Sequence, residues 1–72
     1  MSVVLYTNHC PCCEVLEGRL KAAGIRYRVV DDLRLMLEMG LIAAPMLETD
    51  DMMMNYPAAL KWLEERNRPN EN

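Results

Sequence analysis

All three cysteines of this 72-residue chain fall within four positions, Cys10-Pro11-Cys12-Cys13, directly after the single histidine, His9. Two residues between Cys10 and Cys13 is the separation at which one helical turn brings two sulfurs within bonding distance without moving the backbone. Pro11 is a helix-start signal, because the N–H it lacks would have no partner in a first turn anyway. The free N–H groups of such a turn, and the positive end of the helix dipole, favour a thiolate at Cys10, and the thiolate is the reactive form. Cys13, one turn further in, is placed to attack a mixed disulfide formed at Cys10 and release its partner. The chemistry read from this spacing is a reversible dithiol–disulfide cycle.

The same cluster admits a second chemistry. His9, Cys10, Cys12 and Cys13 form a donor set for zinc or copper(I), as in a small metal-delivery protein. No Cys or His lies elsewhere in the chain to close a tetrahedral site, so no metal is assigned. Cys12 could pair with Cys13 only through a strained peptide. It is read as a partly exposed third thiol that either stands aside or competes for the mixed disulfide. His9 is either a cation favouring the Cys10 thiolate or a solvated loop residue.

Holding such a pair takes a strand that ends before it and a helix that begins at it. Residues 3–6 are a short apolar run suited to a strand buried on both faces, broken by Thr7-Asn8-His9. Leu16, Leu20 and Ala23 recur at helical steps after Cys12, and Gly24 closes that helix. Tyr27, Val29 and Val30 predict a second strand, with Arg26 and Arg28 turned outward. Strand, helix and strand with short joints predict a right-handed parallel unit. Asp32 predicts the cap of a short helix running to Met39, with Leu33, Met36 and Leu37 inward and Gly40 ending it. Pro45 leads into residues 46–49, Asp50-Asp51 turns the chain, and residues 52–54 return as a hairpin. Pro57 opens a last helix, with Ala59, Leu60 and Leu63 on one face and Trp62 beside them. The expected order is β-α-β-α-β-β-α: an α/β fold with a four-stranded mixed sheet and helices on both faces. Residues 1–66 form the domain, and 67–72 are a polar tail expected to fray.

Composition narrows the function. A chain this short builds one small core and no deep cavity, so its chemistry belongs at the surface. A net charge of −3, with basic residues scattered rather than clustered, excludes a nucleic-acid face. No segment reads as a signal peptide or a membrane span, which predicts a cytoplasmic protein whose thiols are kept reduced. A monomer is expected. Met52, Met53 and Met54 are read as filling an irregular core, and Asp31-Asp32 as a strand end and helix cap. No paired-carboxylate, phosphate-loop or Ser-His-Asp pattern is present.

Tyr6-Thr7 ending the first strand, Cys10-Pro11-Cys12-Cys13 at a helix start, and Ala43-Ala44-Pro45 before the third strand together resemble glutaredoxins and related short redoxins. The resemblance covers nearly the whole chain. It implies a thioredoxin-like fold and a thiol–disulfide oxidoreductase with Cys10 and Cys13 catalytic. It also implies no tightly bound cofactor and glutathione as a co-substrate. The partners implied are a disulfide-containing protein, such as ribonucleotide reductase, and glutathione or a flavoprotein reductase as electron donor. By the same resemblance, Pro45 follows a cis peptide and faces the redox pair. Ala44 offers its backbone to an extended substrate. Separately from the resemblance, Pro11 is read as a substrate-contacting residue, and Ala43, Ala44 and Tyr56 are expected to form an apolar rim around Cys10 suited to protein substrates.

The chain also departs from the family's pattern. Cys12 stands where Tyr is usual, and the loop before Cys10 is about a residue shorter and lacks the common Lys or Arg. The Gly-Gly expected after the fourth strand is replaced by Asn55-Tyr56-Pro57, and the second helix is short, as in redoxins that reduce ribonucleotide reductase. These changes bear on glutathione specificity more than on dithiol chemistry. The Gly-Phe-Ser that follows the first cysteine in cluster-carrying relatives is absent.

Overall fold

Seven short elements follow the expected order in the computed structural model, which describes residues 2–41 and 43–66. They are β1 (Val4–Tyr6), α1 (Pro11–Ala22), β2 (Arg28–Val30), α2 (Leu33–Glu38), β3 (Met46–Glu48), β4 (Met53–Met54) and α3 (Tyr56–Arg66). The sheet runs β2-β1-β3-β4. β1 lies parallel to β2 and antiparallel to β3, and β3 is antiparallel to β4, so the sheet is mixed. Residues 67–72, read above as a tail, lie outside the described residues.

Side-chain alternation along the strands decides where the core sits. Leu5 stands opposite Leu47, and Leu47 opposite Met54, so the three share one face of the sheet. They are buried with Val3, with Leu16 and Leu20 of α1, and with Ala59 and Leu63 of α3. α1 and α3 pack against each other as well. Each fully buried leucine contributes about 1.5–3 kcal/mol, and four of them lie at this centre. Tyr6 points to the reverse face and is also buried, its hydroxyl donating to Glu48 Oε1 at 2.7 Å. That carboxylate, helped by burial, pushes the Tyr6 phenol up to about 12.

Local signals in the sequence set the element ends. The Asp32 side chain accepts the N–H groups of Arg34 at 3.0 Å and Leu35 at 3.2 Å, capping α2. Asn55 does the same for α3 through Ala58 N–H at 3.1 Å. Both α1 and α2 end in the same six-to-one closure: Ile25 N–H reaches Leu20 O, and Leu41 N–H reaches Met36 O. That closure needs a left-handed residue, supplied by Gly24 (φ +70°) and Gly40 (φ +80°). Thr49 N–H to Met52 O at 2.9 Å closes the β3–β4 hairpin over Asp50-Asp51.

The structure corrects the expected face of α2. Leu33 and Leu37 are 59% and 69% exposed, and Met36 alone is buried, outside the main cluster. This six-residue helix carries apolar side chains nearly all round, so its pattern prefers no face and tertiary placement selects one. Leu60 and Trp62 on α3 pack at the core's rim rather than inside it. β2 begins at Arg28, one residue later than read, and Val29 is half-exposed on this edge strand. No described helix is long and apolar enough to cross a membrane.

Candidate functional site

The cysteine cluster occupies the corner between β1 and α1. Thr7 is buried and prolongs the ladder, its N–H bonded to Val30 O at 3.0 Å. The chain then turns sharply. Thr7 Oγ1 accepts His9 N–H at 2.9 Å, His9 takes a left-handed φ of 63°, and Asn8 Oδ1 accepts Cys10 N–H at 3.1 Å. Cys10 thereby becomes the N-cap of α1 with extended backbone, and its sulfur takes the place a capping hydroxyl usually fills. Cys10 Sγ accepts Cys13 N–H at 3.3 Å, while Pro11 starts the helix where no N–H is needed.

This geometry sets the two sulfurs of Cys10 and Cys13 2.9 Å apart. All three thiols are free, yet their surroundings differ. Cys13 is 1% exposed, Cys10 is half-buried, and Cys12 is exposed. Cys13 Sγ also lies 3.5 Å from Asn8 Oδ1, to which its S–H donates. From the far side, the Ala44 carbonyl approaches Cys10 Sγ at 3.9 Å. The Ala44–Pro45 peptide is cis, and Pro45 is buried.

Among the residues singled out in the sequence, Cys10, Cys13 and Ala44 therefore converge, and Pro11 and Pro45 belong to the segments that carry them. Tyr56, at the start of α3, packs against the core cluster. Cys12 lies on the helix's outer side. Among the described residues, no group of three or more His, Cys, Asp or Glu side chains is arranged to hold a metal ion.

His9 stands at the surface beside Asp31. Its Nε2 lies 3.0 Å from Asp31 Oδ2, with both side chains largely exposed. The Asp31 hydrogen bond raises the imidazole above its usual value, opposed by some loss of solvent and helped by the Asp31 and Glu17 charges. Sequence reading missed two residues here. Asn8 brackets the thiols, and Asp31 anchors the loop through His9. An Asn two positions before a helix cap is a turn-forming signal that could have exposed the first.

The two thiols titrate as a pair. The Cys13 hydrogen bond pushes the Cys10 thiol up, followed by burial, while the Cys13 N–H works the other way. Burial opposes ionisation of Cys13, but hydrogen bonds from Cys10 and Thr7 bring it down overall. Both directions describe one shared proton: the first ionisation is eased because the neighbouring S–H donates to the new thiolate, and the second is held back. Cys10, half-buried and accepting the Cys13 N–H, is the sulfur of the pair that an outside disulfide can reach.

No protein-family model matches the chain, and no curated protein or solved structure matches it significantly.

Proposed function

We propose that the protein is a thiol–disulfide oxidoreductase of the glutaredoxin type, cycling Cys10 and Cys13 between dithiol and disulfide. The observation that carries this reading is the 2.9 Å approach of the two sulfurs at a helix N-terminus, one reachable from solvent and one buried. In the forward direction the Cys10 thiolate attacks a substrate disulfide, forming a mixed disulfide and expelling one substrate thiolate. Cys13 then gives up its proton and attacks Cys10 Sγ. The Cys10–Cys13 bond forms, the second substrate thiolate leaves, and two electrons have passed to the substrate. Two glutathione molecules, or a flavoprotein reductase, restore the dithiol.

A thioredoxin-like arrangement is part of the same proposal. It is supported by the strand order β2-β1-β3-β4, by the thiols at the β1–α1 corner, and by the Ala44 carbonyl facing Cys10. That carbonyl lies in the bend just before β3, where it could meet a protein substrate's backbone. Ribonucleotide reductase is one such substrate. Three cysteines clustered in four positions, with none left to staple the fold, fit a reducing compartment such as the cytoplasm.

The test is thiol counting by mass spectrometry, with bond mapping, on metal-free protein equilibrated in glutathione redox buffers. The expected result is a reversible Cys10–Cys13 disulfide with Cys12 still free. Three thiols that stay reduced in every buffer, in a protein that had held copper or zinc tightly, would assign the cluster to metal binding.

A further inference from the structure

We infer that Asn8 is a positioning residue that sets the redox poise of the Cys10–Cys13 pair by stabilising its reduced form. The inference rests on the dithiol reading above. A single atom, Asn8 Oδ1, accepts Cys10 N–H at 3.1 Å and Cys13 S–H at 3.5 Å. The two bonds respond differently to oxidation. Cys10 N–H exists in both redox states, so that bond fixes the loop throughout the cycle. The Cys13 S–H exists only in the dithiol.

Balance makes the consequence explicit. Protein dithiol plus glutathione disulfide gives protein disulfide plus two glutathione: one S–S bond breaks, another forms, and two electrons and two protons move. The proton leaving Cys13 takes with it the donor that Asn8 had been satisfying. Cys13 is 1% exposed, while the Asn8 side chain that stands beside it is itself exposed. On removal of Asn8 the S–H must turn to Cys10 Sγ, 2.9 Å away, or to water entering that place, and what Asn8 adds is the difference between its fixed amide oxygen and those partners. Asn8 therefore favours the reduced side of the equilibrium, and a pair whose reduced form is stabilised is the stronger oxidant.

The amide also suits this place better than a carboxylate. It accepts hydrogen bonds without adding a negative charge beside a forming thiolate. A cysteine S–H is a weak donor, so the effect belongs at the low end of hydrogen-bond strengths, about two- to fivefold in the equilibrium constant.

The experiment measures that constant against glutathione for the wild type, Asn8→Ala and Asn8→Asp, together with unfolding curves of each protein in both redox forms. Asn8→Ala is expected to raise the constant for oxidation about two- to fivefold. Its reduced form should lose more stability than its oxidised form by the same factor. Asn8→Asp keeps the acceptor and is expected to stay at or below the wild-type constant, with a thiolate absorbance that appears at higher pH. A merely structural Asn8 would lower the stability of both forms alike and leave the constant unchanged, and that result would overturn the inference. So would an Asn8→Asp protein that behaves like Asn8→Ala. A wild type that forms no Cys10–Cys13 disulfide would instead remove the dithiol reading on which the inference stands.

Discussion

Two leucines separated by ten positions test the packing that supports the site: Leu47→Ala should remove most of the stability, and Leu37→Ala almost none. Leu47 is 0% exposed, paired in register with Leu5 on one side and Met54 on the other, under Ala59 and Leu63 of α3. Truncation there loses the transfer free energy of the deleted groups and leaves a cavity that two β-ladders hold open. Core Leu→Ala changes cost about 2.7–5.0 kcal/mol, and about 3 kcal/mol is expected here. A single core in a chain this short supplies no more than about 3–5 kcal/mol, so the variant should sit near its unfolding midpoint at room temperature. Leu37 is 69% exposed, and its truncation should stay within about 0.5 kcal/mol. Urea unfolding of the reduced proteins, fitted with a common slope, measures both. A loss above about 1 kcal/mol at Leu37, or below it at Leu47, would refute this placement of the core and of α2.

Three further outcomes follow from the same geometry. In Cys13→Ser, glutathione disulfide should leave a persistent mixed disulfide at Cys10, because the resolving sulfur 2.9 Å away is gone; mass spectrometry should find one glutathione adduct there that the wild type clears. The His9 ring should titrate above its ordinary value by NMR, and Asp31→Asn should lower the midpoint. Since folding raises this pKa, the pair's contribution is complete below the unfolded histidine's value of about 6.5 and disappears as pH climbs through the folded one. Tyr6 should ionise only near pH 12, and Glu48→Gln should bring that down in an ultraviolet titration. Neutral Tyr6 therefore stabilises the fold fully below about pH 10, and this is lost as pH rises to about 12.

The sequence revealed most where one residue's covalent character decides the geometry. Pro11 at the first position of α1, Gly24 and Gly40 at helix ends, and the Asp32 cap were all readable, because each acts within a turn or two of itself. The Cys10–Cys13 approach was readable for the same reason: three residues of helix fix it. Two kinds of feature were hidden. The face of α2 could not be read from Leu33, Leu35, Met36 and Leu37, since a short helix that is apolar nearly all round gives periodicity nothing to select. Contacts joining distant segments also left no local trace. His9 meets Asp31 only because β2 runs parallel to β1, and Tyr6 meets Glu48 only because β3 lies antiparallel beside it. Asn8 falls between these cases, its turn being local while its second partner, Cys13, depends on how α1 leaves the corner.

The position of β1 has a bearing on how the chain is made. It is first of the seven elements in sequence yet sits inside the sheet, with β2 on one side and β3 on the other. As the polypeptide leaves the ribosome, β1, α1 and β2 can associate early, because their partners follow within a short span. The other edge of β1 must wait; Tyr6 and Glu48, which meet across that edge, are 42 residues apart. Until β3 arrives, Leu5 lacks its partner Leu47, and a row of backbone donors and acceptors stands open to any other nascent strand. The redox corner is thus complete in sequence long before the sheet beneath it is closed. Cys10 and Cys13 can meet on a half-made chain, and oxidation at that stage would precede the arrival of the Ala44 segment that faces them.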